Sequence, residues 1–345
     1  MARIRLQDVA ERAGVSIKTV SNVVNNKGAI TAQTRARVEE ALAELQYRPN
    51  VAARHLRRGN SGMIAVALPE ITQPYFAEIA SELVRAAKER HLTVLLNQTD
   101  GLLETERAIC EGIDMPLMDG LILSPLALGP EDFLGRRDST PLVLLGEHVD
   151  GTTGVPHVAI DNRAAAAAAT AHLAQTGRRR IAAIGAKRAE DDAAPAETAE
   201  LRLEGFREAL AAAGLPWRED LVGTVADFHR ADGAAAMHRL LDLPEPPDAV
   251  FCFNDLLGLG ALRALRDRGL SAPEDVAVVG IDDIEEGRFS APSLSTVAPD
   301  KRAIAETAID LLLGRRALPE EGPPTAVVGH CLVVRESTGG AGGTP

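Results

Sequence analysis

Four polar side chains, Lys18, Ser21, Asn22 and Asn25, recur at i, i+3, i+4 and i+7, the spacing that gathers residues on one face of an α-helix. The opposite stripe of the same segment is Val20, Val23 and Val24. An ammonium reaches guanine acceptors and a carboxamide pairs with adenine, so such a face suits the major groove of DNA. The preceding residues supply a partner helix. Leu6, Val9, Ala10 and Ala13 recur at helical spacing, Gly14 offers a turn, Val15 an apolar plug and Ser16 an N-cap for the second helix. Together they read as a helix-turn-helix; the other reading of these twenty residues is a helical hairpin whose polar face is solvated.

Charge favours the first reading. Residues 1–60 carry eleven Lys and Arg against five Asp and Glu, a net of +6, whereas the whole chain is −12. A small basic head on an acidic body points to a nucleic-acid-binding module attached to something with other work. Thr31 can cap a third helix with Val38, Ala41, Leu42 and Leu45 as its inner stripe, which closes a three-helix core. After it, Pro49 can start a short helix through Val51–Arg58 that Gly59–Gly62 would end. A helix of about two turns is marginal alone and forms against a partner. Leu56, set among Arg54, His55, Arg57 and Arg58, is either a minor-groove wedge or an anchor docked on the body.

The 345 residues and the 46% apolar fraction suffice for more than one buried core. Apolar runs at 63–68, 92–97, 121–124, 142–146, 181–185, 249–253 and 276–281 read as buried strands. They alternate with amphipathic segments at 75–90, 163–176, 200–213, 231–242 and 255–268, a pattern of parallel sheets covered on both faces. Two groups of strands, before and after about residue 160, predict two doubly wound lobes with a cleft at the strand ends. No apolar run approaches the roughly 18 residues of a membrane span, and the opening MARIRLQDVAERAG lacks the apolar segment of a secretory signal, so the expected location is the cytoplasm, with no membrane partner. Cys110, Cys252 and Cys331 are far apart and form no CxxC, consistent with reduced thiols. His229 and His238 are not at metal-ligand spacing, so neither a metal nor a cofactor is expected.

Two other functions fit such a body. A nucleotide- or sugar-processing enzyme would share the doubly wound sheets, but GLGALR at 258–263 lacks a third glycine and sits inside a predicted helix, and there is no Walker loop or GxSxG elbow. An exported sugar-binding protein would share the two lobes, but not the basic head. In a chain with only ten aromatic residues, Tyr75, Phe76 and Phe228 stand out at loop ends on the cleft side. Sugar rings stack their apolar faces on aromatics and direct hydroxyls to carboxylates, amides and guanidinium. A nucleobase or a carboxylate metabolite would use the same residue types.

Along essentially its whole length the chain resembles the lactose-repressor/galactose-repressor family of bacterial transcription regulators. The matching segments, in order, are DVAERAGVSIKTVSNVVN (8–25), YRPNVAARHL (47–56), PYFAEI (74–79), DGLILSP (119–125), VAIDN (158–162), RLEGF (202–206), NDLLGLGALRAL (254–265), VAVVGIDD (276–283) and VVREST (333–338). The resemblance implies an all-α helix-turn-helix headpiece (1–47), a hinge helix (48–61) and a periplasmic-binding-protein-like, type I, α/β core (62–338) of two doubly wound parallel-sheet lobes. Lobe 1 is expected at 62–160 plus 292–322, lobe 2 at 161–291 plus 323–338, and a disordered tail at 339–345. It further implies a homodimer on double-stranded, pseudopalindromic operator DNA, with DNA contacts from Ser16, Ile17, Lys18, Thr19, Ser21, Asn22, Asn25, Tyr47, Asn50, Ala53, Arg54 and Leu56. Ile17 departs from the larger polar or aromatic residue often found at that place, so an operator sequence cannot be borrowed from a relative. A small-molecule effector, a sugar in the first instance, is expected to meet Tyr75, Phe76, Ser124, Asp161, Arg202, Phe228, Asn254 and Asp282. Each of the polar ones has a local alternative: Arg202 can pair with Glu204, Asn254 can cap the helix that follows, and Asp282 can cap a turn. No apolar heptads follow VVREST, which leaves a dimer rather than a coiled-coil tetramer as the expectation.

Overall fold

The computed structural model describes residues 4–24, 27–47, 60–113, 117–146, 153–187, 197–318 and 324–340. The chain divides into two compact units, Met1–Ser61 and Gly62–Pro345.

In the first unit, α1 (Leu6–Ala13) starts where the Asp8 carboxylate accepts the Arg5 backbone N–H at 2.7 Å. It ends at Gly14, whose φ of +63° is the left-handed conformation that a glycine adopts without Cβ strain. The Val15 N–H then returns to the Ala10 carbonyl at 3.0 Å. Ser16 Oγ accepts the Thr19 N–H at 3.1 Å and opens α2 (Ile17–Val24). Thr31 Oγ1 accepts the Thr34 N–H at 3.3 Å and opens α3 (Ala32–Glu44). Val9, Val20 and Val38 meet in the centre with Ala10, Ala13, Val23 and Ala41, and Leu6, Val15, Leu42 and Tyr47 pack around them. The expected helix over Val51–Arg58 lies outside the described residues, as do Asn25, Asn50, Ala53, Arg54 and Leu56.

The second unit holds two six-stranded sheets. The first contains β1 (Met63–Leu68), β2 (Thr93–Gln98), β3 (Leu121–Leu123), β4 (Leu142–Leu145), β5 (His157–Ile160) and β11 (Thr325–Val328), all parallel, in the order β11-β5-β4-β3-β1-β2. The second contains β6 (Ile181–Ala186), β7 (Val222–Thr224), β8 (Ala249–Cys252), β9 (Ala277–Ile281), β10 (Ser295–Pro299) and β12 (His330–Val333), in the order β12-β10-β9-β8-β6-β7. Only β12 there runs antiparallel to its neighbour. The helices are α4 (Pro74–Glu89), α5 (Leu103–Cys110), α6 (Pro130–Leu134), α7 (Asn162–Gln175), α8 (Glu197–Ala212), α9 (Arg230–Leu241), α10 (Asp255–Asp267), α11 (Glu285–Phe289) and α12 (Lys301–Leu312). Central strands β1, β3, β4, β6, β8 and β9 are almost wholly buried, which is why they read as unbroken apolar runs.

The lobe boundaries differ from the expectation at the C-terminal side. β10 pairs with β9 through Ser295–Val279 and Val297–Ile281, so it belongs to lobe 2 rather than lobe 1. β11 pairs with β5 through Thr325–His157 and Val328–Ile160, so it belongs to lobe 1 rather than lobe 2. α12, between them, packs on α4 and the first sheet. Ladder partners decide membership of a sheet, and STVAP and TAVV are too short and mixed to reveal theirs in sequence. The chain therefore passes between lobes three times: from β5 to α7, from β10 to α12, and from β11 to β12. These passages lie side by side, since Val328 pairs with Ile160 and the Asp300 N–H bonds the Gly329 carbonyl at 3.1 Å.

Candidate ligand site and nucleic-acid face

A cavity of 530 Å³ lies between the two lobes, within the range of small-molecule sites. Lobe 1 lines it with Tyr75, Phe76 and Ile79 from the first turns of α4, Leu68 and Pro69 at the end of β1, and Ser124 after β3. Lobe 2 contributes Arg202 from α8, Phe228 before α9, Asn254 before α10 and Asp282 after β9. These positions follow strand ends, where open α/β sheets bind ligands.

The polar groups of lobe 2 are held by their own framework. Arg202, 7% exposed, donates from Nε to Asn162 Oδ1 at 2.7 Å and from Nη1 to the Phe253 carbonyl. Its expected alternative partner, Glu204, lies instead beside Arg163. Asn254 does cap α10: Oδ1 accepts the Leu257 N–H at 2.9 Å, while Nδ2 donates to the Phe228 carbonyl at 3.1 Å. The cap and the cavity are thus one residue's two faces. Phe228 stands edge-on to Phe253, ring centroids 6.4 Å apart, and Lys187 Nζ lies 5.2 Å from the Phe228 centroid.

Asp282 is carried on strained backbone, with φ of +121°, followed by Asp283 at +51°. Buried Asp255 clamps this turn. One carboxylate oxygen accepts the Ile284 N–H at 3.0 Å and the other accepts Thr296 Oγ1 at 2.7 Å. A Cβ on Gly280 would fall 2.2 Å from Asp255 Oδ1, so glycine is required for that approach. Asp283 is gripped by Arg288 and Arg335, whose hydrogen bonds overcome burial and hold its carboxyl below the ordinary value. Burial pushes the Asp282 carboxyl up to about 6, opposed by the positive charges of Arg202 and Lys301 and reinforced by Glu78. Burial also raises the Asp255 carboxyl, with Asp282 as its charged neighbour.

Seven of the eight expected ligand residues line the cavity: Tyr75, Phe76, Ser124, Arg202, Phe228, Asn254 and Asp282. Asp161 does not. It is exposed, and its Oδ1 accepts the Ala164 N–H at 2.8 Å as the N-cap of α7, while its neighbour Asn162 lines the cavity. An Asp before a helix is first of all a cap. Sequence reasoning missed Glu70, Lys187 and His229, which also line the cavity. Glu70 of lobe 1 meets His229 Nε2 of lobe 2 at 3.0 Å. Hydrogen bonds from Thr72, His229 and Gln73 hold the Glu70 carboxyl down to about 2. The position of Glu70, two residues beyond a predicted strand, was the available signal.

On the head, Ser16, Ile17 and Lys18 at the start of α2 are exposed, Ile17 by 49%. Thr19, Ser21 and Asn22 are half-buried, and Tyr47 lies against the head's core. Ser16 and Thr19 hydroxyls bond each other at 2.9 Å. The second helix thus buries valines and offers a polar face, with an apolar tip at Ile17.

Fold and site define a two-lobed ligand-binding core joined in one chain to a helix-turn-helix. Residues 5–50 match "Bacterial regulatory proteins, lacI family", and residues 170–338 match "Periplasmic binding protein-like domain". The HTH-type transcriptional repressor CytR of Escherichia coli strain K12 is 32% identical over 335 residues, 96% of each chain. The crystal structure of the lac repressor dimer bound to operator and the anti-inducer ONPF superposes with a TM-score of 0.83 at 26% identity, covering 98% of this chain and 99% of that one. The transcriptional regulator CelR–cellobiose complex gives a TM-score of 0.64 at 34% identity, over 97% of this chain and 100% of that one. The chain belongs to the lacI family of bacterial regulatory proteins. It is a DNA-binding transcriptional regulator controlled by a small-molecule effector. Among the described residues no helix is long and apolar enough to cross a membrane.

Proposed function

We propose that the protein is a repressor in which two copies of the head read a pseudopalindromic operator and a sugar in the cavity sets their affinity for it. The observation that carries the ligand half is the cavity itself: Phe228 and Phe76 offer flat apolar faces, and Arg202, Asn254 and Asp282 offer fixed polar groups. CelR has been solved with cellobiose, a relative of the kind this reading needs. Two-fold symmetry in the protein calls for matching symmetry in the half-sites. The regulator acts by binding rather than turnover, at the chromosome in the cytoplasm.

By linkage, effector and operator change each other's affinity by one common factor. Fluorescence anisotropy with DNA from upstream of the protein's own gene, against a scrambled duplex at two salt concentrations, tests the reading. Specific binding that steepens at low salt and shifts with a sugar is the expected result; equal binding to both duplexes refutes it. Asn22→Ala should cost about 1–3 kcal/mol on the specific duplex and little on the scrambled one. Equal weakening on both would assign Asn22 to backbone contact or to packing.

A further inference from the structure

Glu106, in the first turn of α5, is wholly buried and does not line the cavity. Its carboxylate is met by neutral donors rather than by a cation. Oε1 accepts the Leu126 N–H at 2.8 Å and the Thr99 hydroxyl at 3.4 Å, and Oε2 accepts the Ala127 N–H at 3.0 Å and the Leu128 N–H at 3.1 Å. Burying a charge costs folding free energy even when it is hydrogen-bonded, so packing of α5 alone does not account for an acid at this place.

The carboxylate joins two loops. Leu126, Ala127 and Leu128 lie in the stretch between β3 and α6 that is neither helix nor strand, where backbone N–H groups need an acceptor from elsewhere. Thr99 follows β2, and its hydroxyl oxygen also accepts the Gly101 N–H at 3.3 Å across a turn with left-handed Asp100 and Gly101. In the sheet β1 lies between β2 and β3, so the bridge through Glu106 passes across the end of β1. Asp100 and Gly101 from one loop and Ser124, Pro125 and Leu126 from the other line the cavity. The loops also touch, since a Cβ on Gly101 would lie 3.4 Å from Leu126 Cδ1.

We propose that Glu106 is a positioning residue for the effector site: from behind the wall it fixes the two lobe 1 loops that form the cavity's rim, and through them the place of Ser124. This rests on the effector reading of the cavity and adds a residue that no ligand touches. A carboxylate suits the task because both of its oxygens accept, whereas an amide accepts with one and donates with the other.

Hydrogen–deuterium exchange of the full-length protein tests it without a ligand. In Glu106→Gln, segments 99–102 and 124–129 should exchange about tenfold or more faster, with β1 and β3 unchanged. Thr99→Val, which removes only the hydroxyl, should speed exchange in 99–102 alone. Unchanged exchange in 124–129 of Glu106→Gln, or an equal rise across β1 and β3, overturns the inference. Calorimetry with ribose, glucose, cellobiose and cytidine then reads the consequence for binding. Whichever binds the wild type should bind Glu106→Gln about tenfold more weakly, and Leu312→Ala, a buried change beside Gly120 at the opposite end of β3, within about twofold. Equal losses in the two variants make Glu106 merely structural and overturn the inference while leaving the effector site standing. Binding of none of the four to the wild type counts against the sugar reading alone, and the exchange result then decides the role of Glu106.

Discussion

The two lobes are built on matching six-stranded sheets, yet they face the cavity with different chemistry. Lobe 1 presents mostly apolar surface, Leu68, Pro69, Tyr75, Phe76 and Ile79, from a strand end and the first turn of α4. Lobe 2 presents Arg202, Asn254 and Asp282, three buried polar residues. Arg202 and Asn254 are fixed by side chain-to-backbone bonds, and Asp282 by a turn that Asp255 clamps. Under the proposed function, one wall recognises and the other covers. Preorganised polar groups lose little freedom on binding, whereas an apolar cover gains only when water is expelled.

The largest effect that would test this division is Arg202→Ala. It removes a buried cation and strands Asn162 Oδ1 and the Phe253 carbonyl, so effector affinity should fall by about 3–5 kcal/mol, with a loss of core stability measurable by denaturant unfolding. Phe76→Ala on the opposite wall should cost about 1–2 kcal/mol of effector affinity. A Phe76 effect larger than that of Arg202, by calorimetry, would reverse the roles of the walls.

Acid sharpens the same contrast. Asp282 is faced by Arg202 from α8, Asp255 from α10, Lys301 from α12 and Glu78 from α4. With its carboxyl at about 6, a ligand that donates to the ionised form binds fully above that pH and loses up to about tenfold per unit below it. The sign for the empty core is the reverse. Because the folded carboxyl sits above its ordinary value, its contribution to stability is fullest below that ordinary value and is lost as pH rises through about 6. Calorimetry from pH 5 to 7.5 checks the first, and urea unfolding over the same range checks the second. A flat affinity profile would remove Asp282 from recognition.

The smallest expected change is at a residue pair that joins the walls beside the cavity, Glu70 and His229. Exposed pairs contribute little, so His229→Ala should leave stability within about 1 kcal/mol and alter effector affinity a few-fold. A loss as great as that of Arg202→Ala would mean that recognition is shared across the lobes.

How much of this was readable in the chain follows from locality. The turn and helix starts of the head are local: Gly14, Ser16 and Thr31 act on neighbours within five residues, and each does what its type and position foretold. The central strands are buried on both faces, so composition alone marked them. β5, β10, β11 and β12 are four or five residues long and mixed in pattern, and their sheet is decided by partners up to 168 positions away, which no period in the sequence records. The site divided the same way. Arg202, Asn254 and Asp282 came from motifs, whereas the Glu70–His229 contact spans 159 positions and left only a strand end as a clue. Asp161 went astray because helix capping is a sufficient reason for an Asp there.

The three side-by-side passages between the lobes have a mechanical consequence. Strips joined along a single line bend readily about that line and resist sliding or swivelling, so the core has one soft coordinate. A molecule lodged near it can report its presence only as a change of one angle. The population of each angle, and with it the response in the cell, then follows the fraction of proteins occupied.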